Sequence, residues 1–455
     1  MGPRGTPPGN PGPLKRGTLP GHEHIADPGL AELGDRRVQY AARAMPLLSS
    51  LAQRFAADRP FEGMTIAACL HVTAETAVLA RVLRAGGARV ALAASNPLST
   101  QDDVAAALAV GDSIAVYARA GVDRRTYYEH IALALGPVGA GGPVGAGGPT
   151  AGAGPDLVID DGGDLIQTLH TERPNQLPQV RGGCEGTTTG VLRLRRMAAE
   201  GALAFPMIAA SDTPATRLME NLRGTGQSVI DGLLRASGIL LAGKTVVVAG
   251  FGPCGTGIAE AARGLGARVI VTEVDPVRAL DAVLRGFRVL PLAEAAPVGE
   301  VFITATGSAD VITADHMAVM RDGAILANAG HFDAEIDVRG LADLAVAVVP
   351  EVRPHCDAYE LPDGRRLLLL AEGRVVNVVA AEGHPPEVMD LAFGIEALAL
   401  AWLVENTGKL SADVHSVPPE LDADAARLVL AALGARIDAL TPAQRAYLAS
   451  WRLGS

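Results

Sequence analysis

The sequence predicts an α/β protein of two domains, one inserted in the other, with a cleft at the hinge between them. Three observations carry this. Apolar β-rich runs alternate with helical patterns along most of the 455 residues, as in parallel sheets covered by helices. A glycine turn in the middle of the chain joins a strand to a helix. Leu391 to Val404 is an apolar helical run that follows the second unit and would return the chain to the first. A chain of this length can bury two or three separate cores.

The elements read in order as follows. Leu30 to about Arg54 has the Ala/Leu/Arg/Met pattern of a helix, Thr65 to Leu70 is an apolar run, Val78 to Leu83 is helical, and Ala88-Arg-Val-Ala-Leu-Ala is the next strand. Gly136 to Pro149 holds a short Gly/Pro repeat that cannot pack a core and reads as a flexible surface insertion. Asp156-Leu-Val-Ile-Asp-Asp-Gly-Gly-Asp164 is a strand ending in acids and glycines. Ligands of open α/β sheets sit at such carboxyl ends; Asp160 and Asp161 serve chemistry there, or cap a helix or turn. Ile230 to Leu241 leads as a helix into the second unit, which runs through Val301-Phe-Ile-Thr-Ala-Thr and Ala324-Ile-Leu-Ala-Asn to about Gly383. The expected organisation is a disordered tail (1–25), a first domain (26–225, with the insertion at 136–155), an inserted domain (226–383), a return segment (384–432) and a short C-terminal segment (433–455).

Val246-Val-Val-Ala-Gly-Phe-Gly-Pro-Cys-Gly-Thr-Gly257 is the most informative stretch. Gly250 and Gly252 would let the backbone turn sharply and approach a pyrophosphate, and Gly255 would let the helix pack closely on the strand. The helix N-terminus then offers N–H groups to the phosphates. Arg268-Val-Ile-Val-Thr272 is a second strand, and Glu273 follows Gly250 by 23 residues, where an acid binds a ribose diol and repels a 2′-phosphate. The inserted domain is therefore expected to be a Rossmann unit that binds NAD in preference to NADP.

Charge and cysteine content narrow the class. A formal charge of −11 without a basic cluster argues against nucleic acid or an anionic membrane as partner. Cys69, Cys184, Cys254 and Cys356 lack disulfide or zinc spacing, which points to a reducing, cytoplasmic setting and no metal site. Met1 to Pro20 has no apolar core of a signal peptide. The Leu391 helix is too short for a bilayer and carries Glu396, so it reads as a buried helix. Lysines are scarce: Lys15, Lys244 and Lys409 are the three among 39 basic residues.

His71-Val-Thr-Ala-Glu-Thr-Ala, Asn96-Pro-Leu-Ser-Thr-Gln-Asp102, Asp160-Asp-Gly-Gly-Asp, Thr187-Thr-Thr-Gly190, the glycine turn, Val271-Thr-Glu-Val-Asp-Pro276, Asn328-Ala-Gly-His-Phe-Asp-Ala-Glu-Ile-Asp337 and Leu369-Leu-Ala-Glu-Gly-Arg-Val-Val-Asn377 occur in this order. Together, over roughly residues 30 to 450, they resemble the S-adenosylhomocysteine hydrolase family. The resemblance implies tightly held NAD that oxidises C3′ of an adenosine-type nucleoside. The ketone acidifies C4′, the 5′ thiolate leaves, water adds, and the hydride returns, so S-adenosylhomocysteine becomes adenosine and homocysteine with no net redox change. It implies proton-transfer roles for His71, Asp161 and His331, adenine contacts for Thr73, Glu75 and His384, and cofactor contacts for Thr187, Thr188, Thr189, Asn221, Glu273, Asn328 and Asn377. A homo-oligomer, dimer or tetramer, is implied as well.

The departures from the family pattern gather at the ribose. In Ser211-Asp-Thr-Pro-Ala-Thr-Arg-Leu-Met-Glu-Asn221, Thr216 stands where the family has a lysine, Glu220 where it has an aspartate and Ser211 where it has an asparagine. Gly186 replaces a glutamate expected at the ribose hydroxyls, which opens space, and Thr225 replaces a cysteine near the cofactor. Arg217 is adjacent but stays protonated and cannot be a base. The chain ends at Trp451-Arg-Leu-Gly-Ser455 without the family's Lys/Tyr tail. The first expectation is an enzyme of this family in which His331 and Glu220 take over the proton work, with Thr216 and Gly186 beside the sugar. The second is an epimerase or tailoring enzyme using the same 3′-ketone, and the third a non-catalytic paralogue that binds NAD and nucleotide.

Overall fold

The computed structural model describes residues 24–112, 114–136 and 154–452. The expected N-terminal tail (to residue 23) and most of the Gly/Pro repeat lie outside the described residues.

The first sheet is seven-stranded. Its strands are β1 (Thr65–Leu70), β2 (Arg89–Ala94), β3 (Ala115–Tyr117), β4 (Leu157–Asp160), β5 (Gly182–Glu185) and β6 (Met207–Ala209), joined late in the chain by β15 (Val414–Ser416). They run parallel in the order β15-β6-β5-β4-β1-β2-β3. The central strands are apolar on both faces, as a sheet covered by helices on both sides requires. The order reverses between β1 and β4, and a crevice opens there at the carboxyl ends.

The second sheet comes entirely from the intervening residues. It holds β7 (Thr245–Ala249), β8 (Arg268–Thr272), β9 (Arg288–Val289), β10 (Val301–Thr304), β11 (Ile325–Asn328), β12 (Ala347–Arg353), β13 (Cys356–Glu360) and β14 (Arg366–Leu370). Their order is β12-β13-β14-β11-β10-β7-β8-β9. Six of them form the parallel dinucleotide-binding arrangement, with its switch point between β7 and β10. The β12–β13 hairpin extends it in antiparallel fashion. The insertion of one sheet's residues inside the other's is thus as expected.

The long helix Pro386–Glu405 starts on a proline, which needs no N–H partner in the first turn. It buries Leu391, Phe393, Ile395, Leu400 and Leu403 in the core of the first sheet. Asp390 seals this return by accepting Leu47 N at 2.9 Å and Leu48 N at 2.8 Å. Among the described residues no helix is long and apolar enough to cross a membrane.

Two elements differ from expectation: the helix expected from Ile230 to Leu241 runs Thr225–Ser237 and stops at the left-handed Gly238, φ +66°, and the first helical stretch is divided. The single helix from Leu30 to Arg54 is two helices, Ala31–Ala42 and Pro46–Asp58. Pro46 has no N–H to continue the first, and Met45 leaves helical geometry at φ −122°, ψ 62°.

Candidate active site

The carboxyl ends of the two sheets face one cavity of ≈ 430 Å³. His71 enters it from the end of β1 and Asp161 from the end of β4, the two strands that flank the switch point. Gly252 and Cys254 enter from the turn after β7, Thr306 from the end of β10 and His331 from the loop after β11. Residues far apart in sequence therefore meet because both sheets present their carboxyl edges to the same space.

The cofactor side follows from the glycine turn. Gly250 has φ +96°, and a side chain on it would press on the Ala305 carbonyl at 2.7 Å. Gly255 lies so close to the Gly250 carbonyl that a Cβ would overlap it. Gly252 begins the Pro253–Gly264 helix without any side-chain cap, which leaves N–H groups of the first turn for an anion. Glu273 directly follows β8 and ties it to the turn: it accepts Phe251 N of the turn at 2.7 Å, and Val274 N at 2.6 Å and Asp275 N at 3.0 Å from its own side. Asn377 faces the cavity, donates to Ser228 Oγ at 3.0 Å and keeps its buried Oδ1 without a partner. The turn, the uncapped helix and the free amide oxygen fit NAD. Thr187, Thr188, Thr189 and Asn221 line the same space. Thr187 caps the Thr188–Ala199 helix by accepting Gly190 N at 3.0 Å.

On the nucleoside side, Thr73 caps the Ala74–Ala85 helix, and the first turn of that helix brings in Glu75. Burial pushes the Glu75 carboxyl up from its ordinary value. His384 lies opposite, its Nε2 at 3.3 Å from Thr225 Oγ1. The three expected adenine-side residues therefore share one cavity with the cofactor side.

Burial sets the protonation of the central groups. It lowers His71 to about 3, His331 to about 4 and His384 to about 4, so these imidazoles are neutral near pH 7. It raises Glu220 to about 7. Asp161 is raised by burial and then by the Glu220 carboxylate. At neutral pH the raised carboxyls can therefore supply or take up a proton, whereas the neutral imidazoles have none to release as acids and can act only as bases in proton transfer. His71 Nδ1 is 3.3 Å from Ser95 Oγ. His331 stands over Gly162, whose φ of +100° and lack of a side chain make room for the ring.

Several expectations need correction. Thr216 does not line the cavity: it is 2% exposed, and its hydroxyl donates to the Ala210 carbonyl at 2.9 Å and pairs with Thr213 Oγ1. Asn328 is fully buried and serves the loop. Its amide donates to the Gly330, Phe332 and Gly373 carbonyls while its oxygen accepts Gly330 N at 2.7 Å and Thr304 Oγ1 at 2.9 Å. It therefore positions the segment that carries His331 and is spent as a cofactor contact. Asp160 is likewise internal, accepting Ile166 N at 2.9 Å as a cap, so of the acid pair only Asp161 faces the cavity. Gly186 opens no space, because a Cβ there would meet Asp161 Oδ1 at 2.5 Å and Glu396 Oε1 at 2.7 Å. Glu396 is the site residue that sequence reasoning missed, and its signal was a lone charge in an apolar helix.

Neither described lysine enters the cavity; Lys244 pairs with Glu300 at 2.9 Å and Lys409 with Asn406. Arg217 reaches the wall but is held by Asp212 at 3.0 Å.

Comparison with known proteins agrees with this architecture. Residues 22–179 match the family model of S-adenosyl-L-homocysteine hydrolase, and residues 221–383 match the model of its NAD binding domain. The adenosylhomocysteinase of Aquifex aeolicus is 51% identical over 95% of this chain and 99% of its own length. That of Thermosynechococcus vestitus is 49% identical over 96% of this chain and 98% of its own. That of Saccharolobus solfataricus is 49% identical over 95% and 99%. Similarity of this extent, on two sheets that meet at one cofactor-and-nucleoside cavity, places the chain in the S-adenosyl-L-homocysteine hydrolase family, with NAD as its cofactor.

Proposed function

We propose that the protein is an NAD-dependent adenosylhomocysteinase-type hydrolase that acts on an adenosine-type nucleoside, S-adenosylhomocysteine or the adenosine and homocysteine formed from it. The observation that carries the reading is the shared cavity: the uncapped helix behind Gly252 opens onto the same space as His71, Asp161, Glu220 and His331. Bound NAD+ supplies a hydride acceptor for the secondary alcohol at C3′. Glu220, raised to about 7, is matched to take the hydroxyl proton at that carbon. His331, neutral, accepts the C4′ proton that the neighbouring ketone acidifies. Asp161, whose raised carboxyl holds its proton, supplies it to the departing 5′ sulfur, and His71 beside Ser95 orients the water that replaces it.

Incubation with adenosine or S-adenosylhomocysteine in deuterated water tests this. Release of homocysteine with deuterium at C4′ is the expected outcome. An isomeric nucleoside without homocysteine release would replace hydrolysis by epimerisation. Absence of any cofactor reduction by either compound would leave a non-catalytic binding protein. The homo-oligomer belongs to the same proposal and is supported by the exposed apolar residues Val348, Val349 and Val352 on β12; light scattering distinguishes monomer, dimer and tetramer.

A further inference from the structure

Glu396 is 3% exposed and sits in the otherwise apolar middle of the Pro386–Glu405 helix. A carboxylate taken from water costs several kcal/mol unless something meets it. Among the described residues nothing does. Oε2 is buried without a hydrogen-bond partner, and the charged groups that act on it are other carboxylates, Asp161, Glu220 and Glu185. Burial and these carboxylates push the Glu396 carboxyl well above its ordinary range, and no purely structural role is visible for an acid held this way. The side chain lines the cavity, and Oε1 lies 2.7 Å from where a Cβ of residue 186 would stand. Glycine at 186 and glutamate at 396 are therefore a matched pair. Any side chain at 186 would collide with the ends of both Asp161 and Glu396.

We propose that Glu396 binds the hydroxyls of the nucleoside's sugar, delivering from the long helix the carboxyl that position 186 does not provide. A carboxyl with a free, buried oxygen accepts O–H donors, and a furanose vicinal diol offers two in reach of one such group. Glu396 is thus a specificity-determining residue for ribo- over deoxyribonucleosides. The inference rests on the nucleoside reading above.

The test is equilibrium binding of adenosine, 2′-deoxyadenosine and 3′-deoxyadenosine to the NAD-loaded wild type, Glu396→Gln and Glu396→Leu. The leucine variant removes a buried polar atom without a partner and so guards against failure to fold. Because a buried acceptor left without its donor costs the full desolvation of that group, the wild type should prefer adenosine to at least one deoxy analogue by about tenfold or more. Glu396→Leu should lose that preference through weaker adenosine binding, and Glu396→Gln, which keeps one acceptor oxygen, should fall between it and the wild type, while the affinity for that analogue stays unchanged. Equal loss for all three nucleosides would mark a merely structural role and overturn the proposal, as would undiminished discrimination in both variants. If adenosine binds the wild type without preference, the proposal fails while the nucleoside reading stands. If no purine nucleoside binds the wild type, the nucleoside reading itself fails and takes the proposal with it.

Discussion

His71 and His331 face each other across the cleft with ring centroids 6.0 Å apart and planes tilted by 47°. One ring stands at the end of β1 in the first sheet, the other on the loop after β11 in the second. The pair spans the junction of the two sheets, and His331 lowers the tendency of His71 to hold a proton, a repulsion that adds to burial there. Chemistry that needs both rings therefore needs both sheets in register.

His331→Ala is expected to abolish reduction of the bound cofactor by adenosine while NAD stays bound. The readouts are the near-ultraviolet absorbance of the reduced nicotinamide and the NAD content of the purified protein. Gly162→Ala should act in the same direction, because its methyl would strike the His331 ring and its φ of +100° disfavours any side chain. Unchanged reduction in His331→Ala would sink the role assigned to this ring.

Glu273→Ala should weaken NAD binding by about tenfold or more, the size expected when hydrogen bonds to a charged group are lost. Two effects combine: the ribose contact that the family resemblance implies for Glu273 would lose its acceptor, and the backbone N–H groups of Phe251, Val274 and Asp275 lose theirs. Glu273→Gln, which keeps one oxygen, should fall between. Titration with NAD and NADP checks this, and an unaltered NAD-to-NADP ratio in the alanine variant would contradict the assignment.

The pH dependence of stability has a defined sign. The His384 imidazole is lowered from 6.5 to about 4, so below pH 6.5 the unfolded chain takes up a proton that the folded ring refuses. Its contribution is present in full above pH 6.5 and is lost as the pH falls toward 4. Glu220 acts oppositely: raised from 4.5 to about 7, it stabilises the fold at the acid end of that window and loses the effect as pH rises through it. Urea titrations of the nucleoside-free protein across pH 4 to 7 should show His384→Gln reducing the acid loss by about one proton's slope, about 1.4 kcal/mol per pH unit. Glu220→Gln should steepen that loss. Identical slopes in variant and wild type would refute the corresponding assignment.

The elements that could be read from sequence are those whose cause is local. A glycine turn demands positive φ at Gly250 and a close approach at Gly255, and the strands on either side are adjacent in the chain. Insertion of one domain in the other followed from the order of the runs alone. The failures share another cause, the direction in which a side chain points. Thr216 and Asn328 occupy the expected backbone positions, but each turns inward to satisfy its own neighbourhood. Gly186 looked like room because the carboxyl that fills it arrives from a helix more than two hundred residues away. Side-chain direction at such places is set by packing between remote elements, which no local pattern encodes.

Asp390 offers a test of how the return helix holds the site. Its carboxylate accepts the N–H groups of Leu47 and Leu48, at the start of the Pro46–Asp58 helix, where negative charge also meets the helix dipole favourably. Asp390→Ala leaves both donors buried without partners, and a loss of about 1–3 kcal/mol in unfolding free energy is expected. Asp390→Asn keeps one acceptor and should lose less. Asp390 lies six residues before Glu396 on the same helix, so nucleoside binding should weaken along with stability. NAD affinity should hold, because the glycine turn belongs to the other sheet. Parallel measurement of denaturation, adenosine affinity and NAD affinity separates these effects, and a loss confined to NAD would show that the helix is anchored in some other way.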